Sequence, residues 1–264
     1  MTAALATPLT IGSLSLKNRF VLASLTRDRN RNTVPEDLNA EYYAQRSTAG
    51  LVLGEGVMIE PLGSEWSNAP GIFNEDQIAG WCKVTDAVHA GGSFIFAQLW
   101  HIGRVAHPVL QAGLPNVGPS AVAAQGGKFR QLAGSPGYVV PQAIADPQHY
   151  IDLYRVAAQN AKRAGFDGVE IHSANGYLAH QFLDATANQR TDKWGGSSVN
   201  RTRFVIEAVK AAIEGFGDST RVGIKLSPAG GYNDVGDPED VLIATYSHLV
   251  TFPSSCIYTR CGTY

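Results

Sequence analysis

His172, Asn175 and Tyr177 stand at i, i+3 and i+5, just past the short apolar run Gly168-Val-Glu-Ile. Taken singly, each has an ordinary structural reading: a satisfied core histidine, an Asn-Gly turn, a packing aromatic. Three polar groups together at the carboxyl end of a buried strand mark a site, because parallel α/β folds place their chemistry there. Other strand ends carry polar groups as well: Thr26, Gln98 and Lys225. Lys225 interrupts the apolar run Val222–Leu226. A cation there is costly to bury without an anionic partner, so a negatively charged ligand is expected beside it.

Other chemistries find no support. The sequence has no His-Glu-x-x-His and no Cys-x-x-Cys, so no dedicated metal site is expected. It has no Gly-x-Ser-x-Gly elbow and no Walker loop. The strand-end carboxylates Glu55 and Glu170 do not form a recognisable acid/base pair. Glu170 alternates away from Val169 and Ile171, so it points into the interior of the sheet or joins an ion pair. The net charge is −2 with no Lys/Arg block, which argues against nucleic acid and anionic membrane surfaces as partners. No signal peptide is read at the start, and no segment reaches the roughly 18 apolar residues a membrane helix needs. Cys82, Cys256 and Cys261 are odd in number and scattered, as expected of reduced thiols in the cytoplasm.

The elements that must position these groups follow in order. The 264 residues, 44% of them hydrophobic, are read as a single domain. Leu9–Leu16 is expected to form a hairpin with a Gly-Ser turn. Strands are expected at Phe20–Leu25, Leu51–Leu53, Phe94–Leu99, Gly168–His172 and Val222–Leu226. Helices are expected from Pro35-Glu36 to Arg46, after the Asn74 cap, after Asp146-Pro147, after an Asn200 cap, and from Asp237 to about Val250. Residues 103–141 are a long Gly/Pro-rich excursion, the mark of a lid or binding loop. Successive β-then-α units without a Gly-x-Gly-x-x-Gly fit a (β/α)8 barrel better than a dinucleotide fold. Residues 251–264 form an atypical tail, with Ile257-Tyr-Thr able to imitate a sixth strand.

Several stretches carry a resemblance. Lys17-Asn-Arg-Phe, Leu25-Thr-Arg, Tyr42-Tyr-Ala-Gln-Arg, Gln98-Leu-Trp-His-Ile-Gly-Arg, Gly165-Phe-Asp-Gly-Val-Glu-Ile-His-Ser-Ala-Asn-Gly-Tyr, Gln181-Phe-Leu and Arg190-Thr-Asp-Lys-Trp-Gly-Gly-Ser resemble the old yellow enzyme family. The resemblance runs from about residue 8 to about residue 250. It implies an α/β fold of the (β/α)8 TIM-barrel type with FMN as cofactor. It also implies that NADPH donates hydride to the flavin, whose N5 passes it to the β-carbon of an α,β-unsaturated carbonyl such as an enone or enal. By the same resemblance, His172 and Asn175 hold the substrate carbonyl oxygen and Tyr177 protonates the α-carbon. Ser24, Leu25 and Gly56 line the isoalloxazine, Thr26 and Gln98 bind its polar edge, His172 borders it and Lys225 faces it. Trp66 and Trp100 shape the substrate pocket, and the protein is expected to be a monomer or a homodimer.

This chain departs from the family pattern in four places. Lys225 stands where Arg is usual, Trp66 where Tyr is frequent, Ser24 where Pro is usual and His180 where an acidic residue is common. The family continues through three more strands, whose last loops grip the FMN phosphate. Five to six βα units are read here, so a C-terminally truncated barrel is expected. Two other readings remain: a non-catalytic product that does not hold FMN, and a flavin-dependent isomerase on the same scaffold.

Overall fold

The computed structural model describes residues 2–64, 66–227 and 232–235, with the backbone of 257–260. The chain opens with a helical turn, α1 (Thr2–Leu5), and an antiparallel hairpin of β1 (Leu9–Ile11) and β2 (Leu14–Leu16). Gly12 supplies the positive φ of 56° that a two-residue hairpin turn requires. Leu14 and Leu16 pack with Leu51, Leu53 and Phe96, so the hairpin closes the end of the core opposite the polar strand ends.

Then follow β3 (Val21–Leu22), α2 (Asp37–Ala44), β4 (Leu51–Met58), α3 (Glu75–Ala90) and β5 (Phe94–Trp100). Within the excursion, β6 (Val117–Gly118) pairs in parallel with β7 (Gln142–Ala143) and ties its two ends together. The chain continues through α4 (Pro147–Arg163), β8 (Gly168–Ser173), α5 (Leu178–Leu183), α6 (Ser198–Phe216), β9 (Val222–Leu226) and β10 (Ile257–Arg260).

The main sheet has six strands in the order β10-β9-β8-β5-β4-β3, every pair parallel. Each strand therefore lies beside the next one in the chain. That progression has no switch point, so it is the arc of a (β/α)8 barrel and not a doubly wound sheet. The apolar faces of α3, α4 and α6 cover the sheet, with Trp81, Val84, Ala158 and Phe204 fully buried. Among the described residues, no helix is long and apolar enough to cross a membrane.

Several expected boundaries move. Phe20–Leu25 forms only the two-residue β3, with Phe20, Val21 and Leu25 about half exposed. Among the described residues β3 is the last strand of the sheet and pairs with β4 alone. In contrast, β4 does not stop at Leu53: it runs eight residues, all buried, with a register shift between Leu53 and Gly56. Gly54-Glu55-Gly56 reads as a turn, but each glycine marks a close approach inside the strand. A Cβ on Gly56 would lie 2.7 Å from the Trp100 ring, and one on Gly54 would lie 3.2 Å from the Phe96 carbonyl oxygen.

Asn74 and Asp146 cap their helices as expected, accepting from the Gln77 and Gln148 backbone N–H groups at 2.9 Å each. Asn200 does not cap α6. Its N–H donates to Ser197 Oγ, because Ser197 holds the extended backbone a cap requires and Asn200 already lies in the first turn. Residues 257–260 form a sixth parallel strand beside β9. The expected helix from Asp237 to Val250, Cys256 and Cys261 lie outside the described residues; Cys82 is a free thiol.

Candidate active site

Strand register sets the site. Gly56 pairs with Gln98, Gln98 with Glu170, and His172 with Lys225. Side chains alternate along a strand, so Glu170 and His172 share one face of β8 while Val169 and Ile171 join the helix-covered core on the other. Glu170 thus takes the inward direction. Its Oε1 accepts from Gln98 Nε2 at 2.6 Å, and Gln98 Oε1 accepts from Ser24 Oγ at 2.8 Å. This chain of hydrogen bonds holds the buried Gln98 amide in one orientation and ties the segment after β3 to the centre of the sheet.

His172 is 5% exposed, and its Nδ1 has no hydrogen-bond partner among the described residues. Burial first, then the neighbouring Lys225 and His180, hold its pKa well below the usual histidine range. The imidazole is neutral at pH 7, with one N–H to give and one nitrogen to accept. Lys225 is half-buried and makes no ion pair or hydrogen bond among the described residues. The anionic partner expected for it is not supplied by the described side chains.

The loop after β8 turns sharply at Asn175 (φ 56°) and Gly176 (φ 72°). Its backbone is clamped on both sides. Asn175 N–H donates to Ser227 Oγ at 2.9 Å, and Asn175 O accepts from Asn233 Nδ2 at 2.8 Å. Gly176 N–H donates to His180 Nδ1 at 3.1 Å, which makes His180 the anchor of this turn. Tyr177 then presents its ring edge-on to His172 at 4.9 Å and to Trp100 at 5.3 Å.

These groups meet in one cavity of about 160 Å³. It is lined by Ser24, Leu25, Thr26, Gly56, Gln98, Trp100, His172, Asn175, Tyr177 and Lys225. Every residue singled out from the sequence lines it except Trp66. Trp66 is 41% exposed and lies instead on a second, outer cavity of about 410 Å³ with Asp28, Lys128 and Arg130. Among the described residues, no cluster of His, Cys, Asp or Glu could hold a metal ion.

Sequence reading set Glu55 aside as an acid/base candidate and gave it no structural role. It is fully buried; its Oε2 accepts from Arg27 N–H at 2.8 Å, and its own N–H donates to Tyr43 Oη at 2.8 Å. Burial pushes its carboxyl up to about 7. Glu55 thereby fastens the segment after Thr26 to β4. A carboxylate between two glycines in an apolar run was the available signal. Asn233, which clamps Asn175 from 58 positions away, left no signal of this kind.

Comparison with known proteins shows the family and the fold. Residues 4–253 match the model of the NADH:flavin oxidoreductase / NADH oxidase family. A probable flavin mononucleotide-dependent alkene reductase of Leishmania infantum is 42% identical over 247 residues, covering 90% of this chain and 67% of the relative. The 12-oxophytodienoate reductase 7 of Oryza sativa subsp. japonica is 41% identical over 249 residues, covering 90% and 62%. Morphinone reductase in complex with tetrahydroNAD superposes with a TM-score of 0.87 at 44% identity, over 93% of this chain and 70% of that one. An old yellow enzyme homologue from Zymomonas mobilis gives 0.87 at 39% identity, with the same coverage. The chain spans 59–68% of the length of the curated relatives it matches. By family and by fold, this chain belongs to the NADH:flavin oxidoreductase / NADH oxidase family, the FMN-dependent oxidoreductases of old yellow enzyme type.

Proposed function

We propose that the inner cavity binds the ring of FMN and reduces the activated C=C bond of α,β-unsaturated carbonyl compounds, with NADPH as hydride donor. One observation carries this reading: an unpaired, neutral His172 and an unbalanced Lys225 face the same cavity as Asn175 and Tyr177. The donor set suits a flat ring with a polar, charge-accepting edge. Gly56 lets the Trp100 ring pack against β4, Thr26 and Gln98 offer hydrogen-bonding groups, and Lys225 offers a positive charge. When bound, FMN supplies the redox chemistry, accepting hydride from the nicotinamide and giving it to carbon.

The protein's own groups do the rest. The main chain at Ser24, Leu25 and Gly56 lines the ring. Lys225 stabilises negative charge on it as a point charge, without the planar fork of an arginine. His172 and Asn175 donate to the substrate carbonyl oxygen and stabilise the charge that develops there. A neutral imidazole in a dry site is suited to this: it polarises the oxygen without having to lose a proton. Tyr177 gives its phenol proton to the α-carbon as general acid. Trp100 closes the apolar side of the pocket and fixes the Tyr177 ring.

The test is reconstitution of the purified chain with FMN, followed by anaerobic titration with NADPH and then with 2-cyclohexenone. The flavin absorbance is expected to bleach with NADPH and return with the enone. A protein that takes up no FMN, or whose reduced flavin is not reoxidised by the enone, overturns the reading.

A further inference from the structure

Gly176 stands between Asn175 and Tyr177, the two residues of the loop after β8 that line the inner cavity. Both polar groups of its backbone are taken by side chains of α5. Its N–H donates to His180 Nδ1 at 3.1 Å, and its carbonyl oxygen accepts from Gln181 Nε2 at 2.8 Å. No side chain fits at this position: a Cβ would lie 2.6 Å from the Tyr232 carbonyl oxygen. A glycine at φ 72° has little conformational preference of its own. The two hydrogen bonds therefore decide how the chain passes from Asn175 to Tyr177.

Neither grip has slack. Gln181 is fully buried, and its amide has a single fit. Its Nε2 donates a second time, to Ile102 O at 2.9 Å, and its Oε1 accepts from Arg104 N–H at 3.1 Å. Two carbonyls need the NH2 end and one N–H needs the oxygen end, so a flipped amide would lose all three bonds. Ile102 and Arg104 follow β5, so Gln181 ties the turn to the strand that carries Gln98 and Trp100. His180 is 1% exposed. Burial pushes its pKa down to about 4, against the pull of Asp184. The ring stays neutral at pH 7, and Nδ1 keeps the lone pair that Gly176 N–H needs. Asn175 is also held from outside α5, by Ser227 and Asn233. The Tyr177 backbone oxygen, in contrast, accepts from Gln181 N–H at 2.8 Å, within the same element.

We propose that His180 and Gln181 are positioning residues for the proton-transfer step: by gripping both polar groups of Gly176, they set the Tyr177 hydroxyl at its working distance from a substrate held by His172 and Asn175. The proposal rests on the reading of Tyr177 as proton donor. Each of the two side chains acts through the peptide it holds. Letting that peptide turn shifts the phenol relative to the carbon it protonates, and a displacement of about 1 Å is enough to slow such a step roughly 10²-fold.

The test is a double-mutant cycle on flavin reoxidation by 2-cyclohexenone, read in single turnovers of the FMN-loaded, NADPH-reduced chain. His180→Leu is expected to slow reoxidation roughly 10–10²-fold when Tyr177 is present, and less than about two-fold in the Tyr177→Phe background, where no phenol is left to misplace. His180→Asn, which can still accept from Gly176 N–H, is expected to recover most of the rate. Gln181→Met, similar in volume and without donors, is expected to behave as His180→Leu and serves if that variant fails to fold. Exchange of the Gly176 amide hydrogen, followed in the full chain before FMN is added, is independent of activity. It is expected to be slow in the parent, about ten-fold or more faster in His180→Leu, and slow again in His180→Asn. Equal slowing in both backgrounds, no slowing in either, or an unchanged Gly176 exchange overturns the inference and leaves Tyr177 as proton donor. A Tyr177→Phe chain as fast as the parent overturns the reading of Tyr177, and with it the clamp's part in proton transfer, while the Gly176 exchange still shows whether the clamp exists.

Discussion

The inner and outer cavities are built from different material. The inner one stands on strand ends, where register decides which groups meet: Gln98 with Glu170, His172 with Lys225. Gln98 and His172 are buried there, and the unpaired His172 Nδ1 is held in place by the sheet around it. The outer one stands on loops, with exposed cations on either side of a buried Phe129. Orienting a reacting bond requires the first kind of wall, because a desolvated donor is worth most when it cannot relax. The second kind offers charge attraction, which tolerates loose geometry and is weakened by salt.

The largest expected effect separates the two directly. His172→Ala combined with Asn175→Ala is expected to slow flavin reoxidation by the enone by roughly 10²–10³-fold in stopped-flow experiments. Lys128→Ala with Arg130→Ala, outside the inner cavity, is expected to leave the rate of that step unchanged. If both double variants slowed the enone step equally, the division of labour would be wrong.

A second prediction concerns pH. Glu55 holds its proton up to about pH 7 in the folded chain, well above the usual carboxylate value of 4.5. Between those values the folded state binds more protons than the unfolded one, so Glu55's contribution is present at low pH and lost as pH rises to about 7. Glu55→Gln is expected to flatten that part of the stability profile by up to roughly 3 kcal/mol, read by denaturant unfolding at pH 5 and pH 8. His180, pushed by burial down to about 4 from 6.5, acts with the opposite sign: its contribution is lost as pH falls from about 6.5 to 4. The two act with opposite signs over overlapping pH ranges, so each is read from its own variant: a slope left unchanged by Glu55→Gln, or by His180→Gln, would contradict that assignment.

The smallest expected effect contrasts two glycines. Gly56→Val forces a Cβ to within 2.7 Å of the Trp100 ring and is expected to cost roughly 1–3 kcal/mol and impair FMN retention. Gly126, in the excursion, has open space around it and a φ of 80°, so Gly126→Ala is expected to cost only about 1 kcal/mol of backbone strain and to leave FMN uptake alone. Equal losses of flavin in the two variants would show that the wall at Gly56 is not tight.

Local patterns in the sequence carried most of the scaffold. Hairpin, caps at Asn74 and Asp146, and strands such as Phe94–Trp100 are decided by near neighbours, so composition and period reveal them. The strand-end groups around His172 were legible for the same reason: a polar loop after a buried strand has few other uses. What was hidden depends on distant contacts. Gly54-Glu55-Gly56 looks like a turn until Phe96 and Trp100 are seen against the two glycines. That Trp66 lines an outer cavity with Lys128 and Arg130 depends on loops distant in sequence, which no local pattern reveals. Asn200 looks like a cap until Ser197 takes that place.

The central claim is that Tyr177 delivers the proton in the inner cavity. Its most direct test is Tyr177→Phe, with the two half-reactions followed separately under anaerobic conditions. Flavin reduction by NADPH is expected to keep its rate, while reoxidation by 2-cyclohexenone slows by roughly 10²-fold or more. Equal slowing of both half-reactions, or no slowing of the second, would contradict the account.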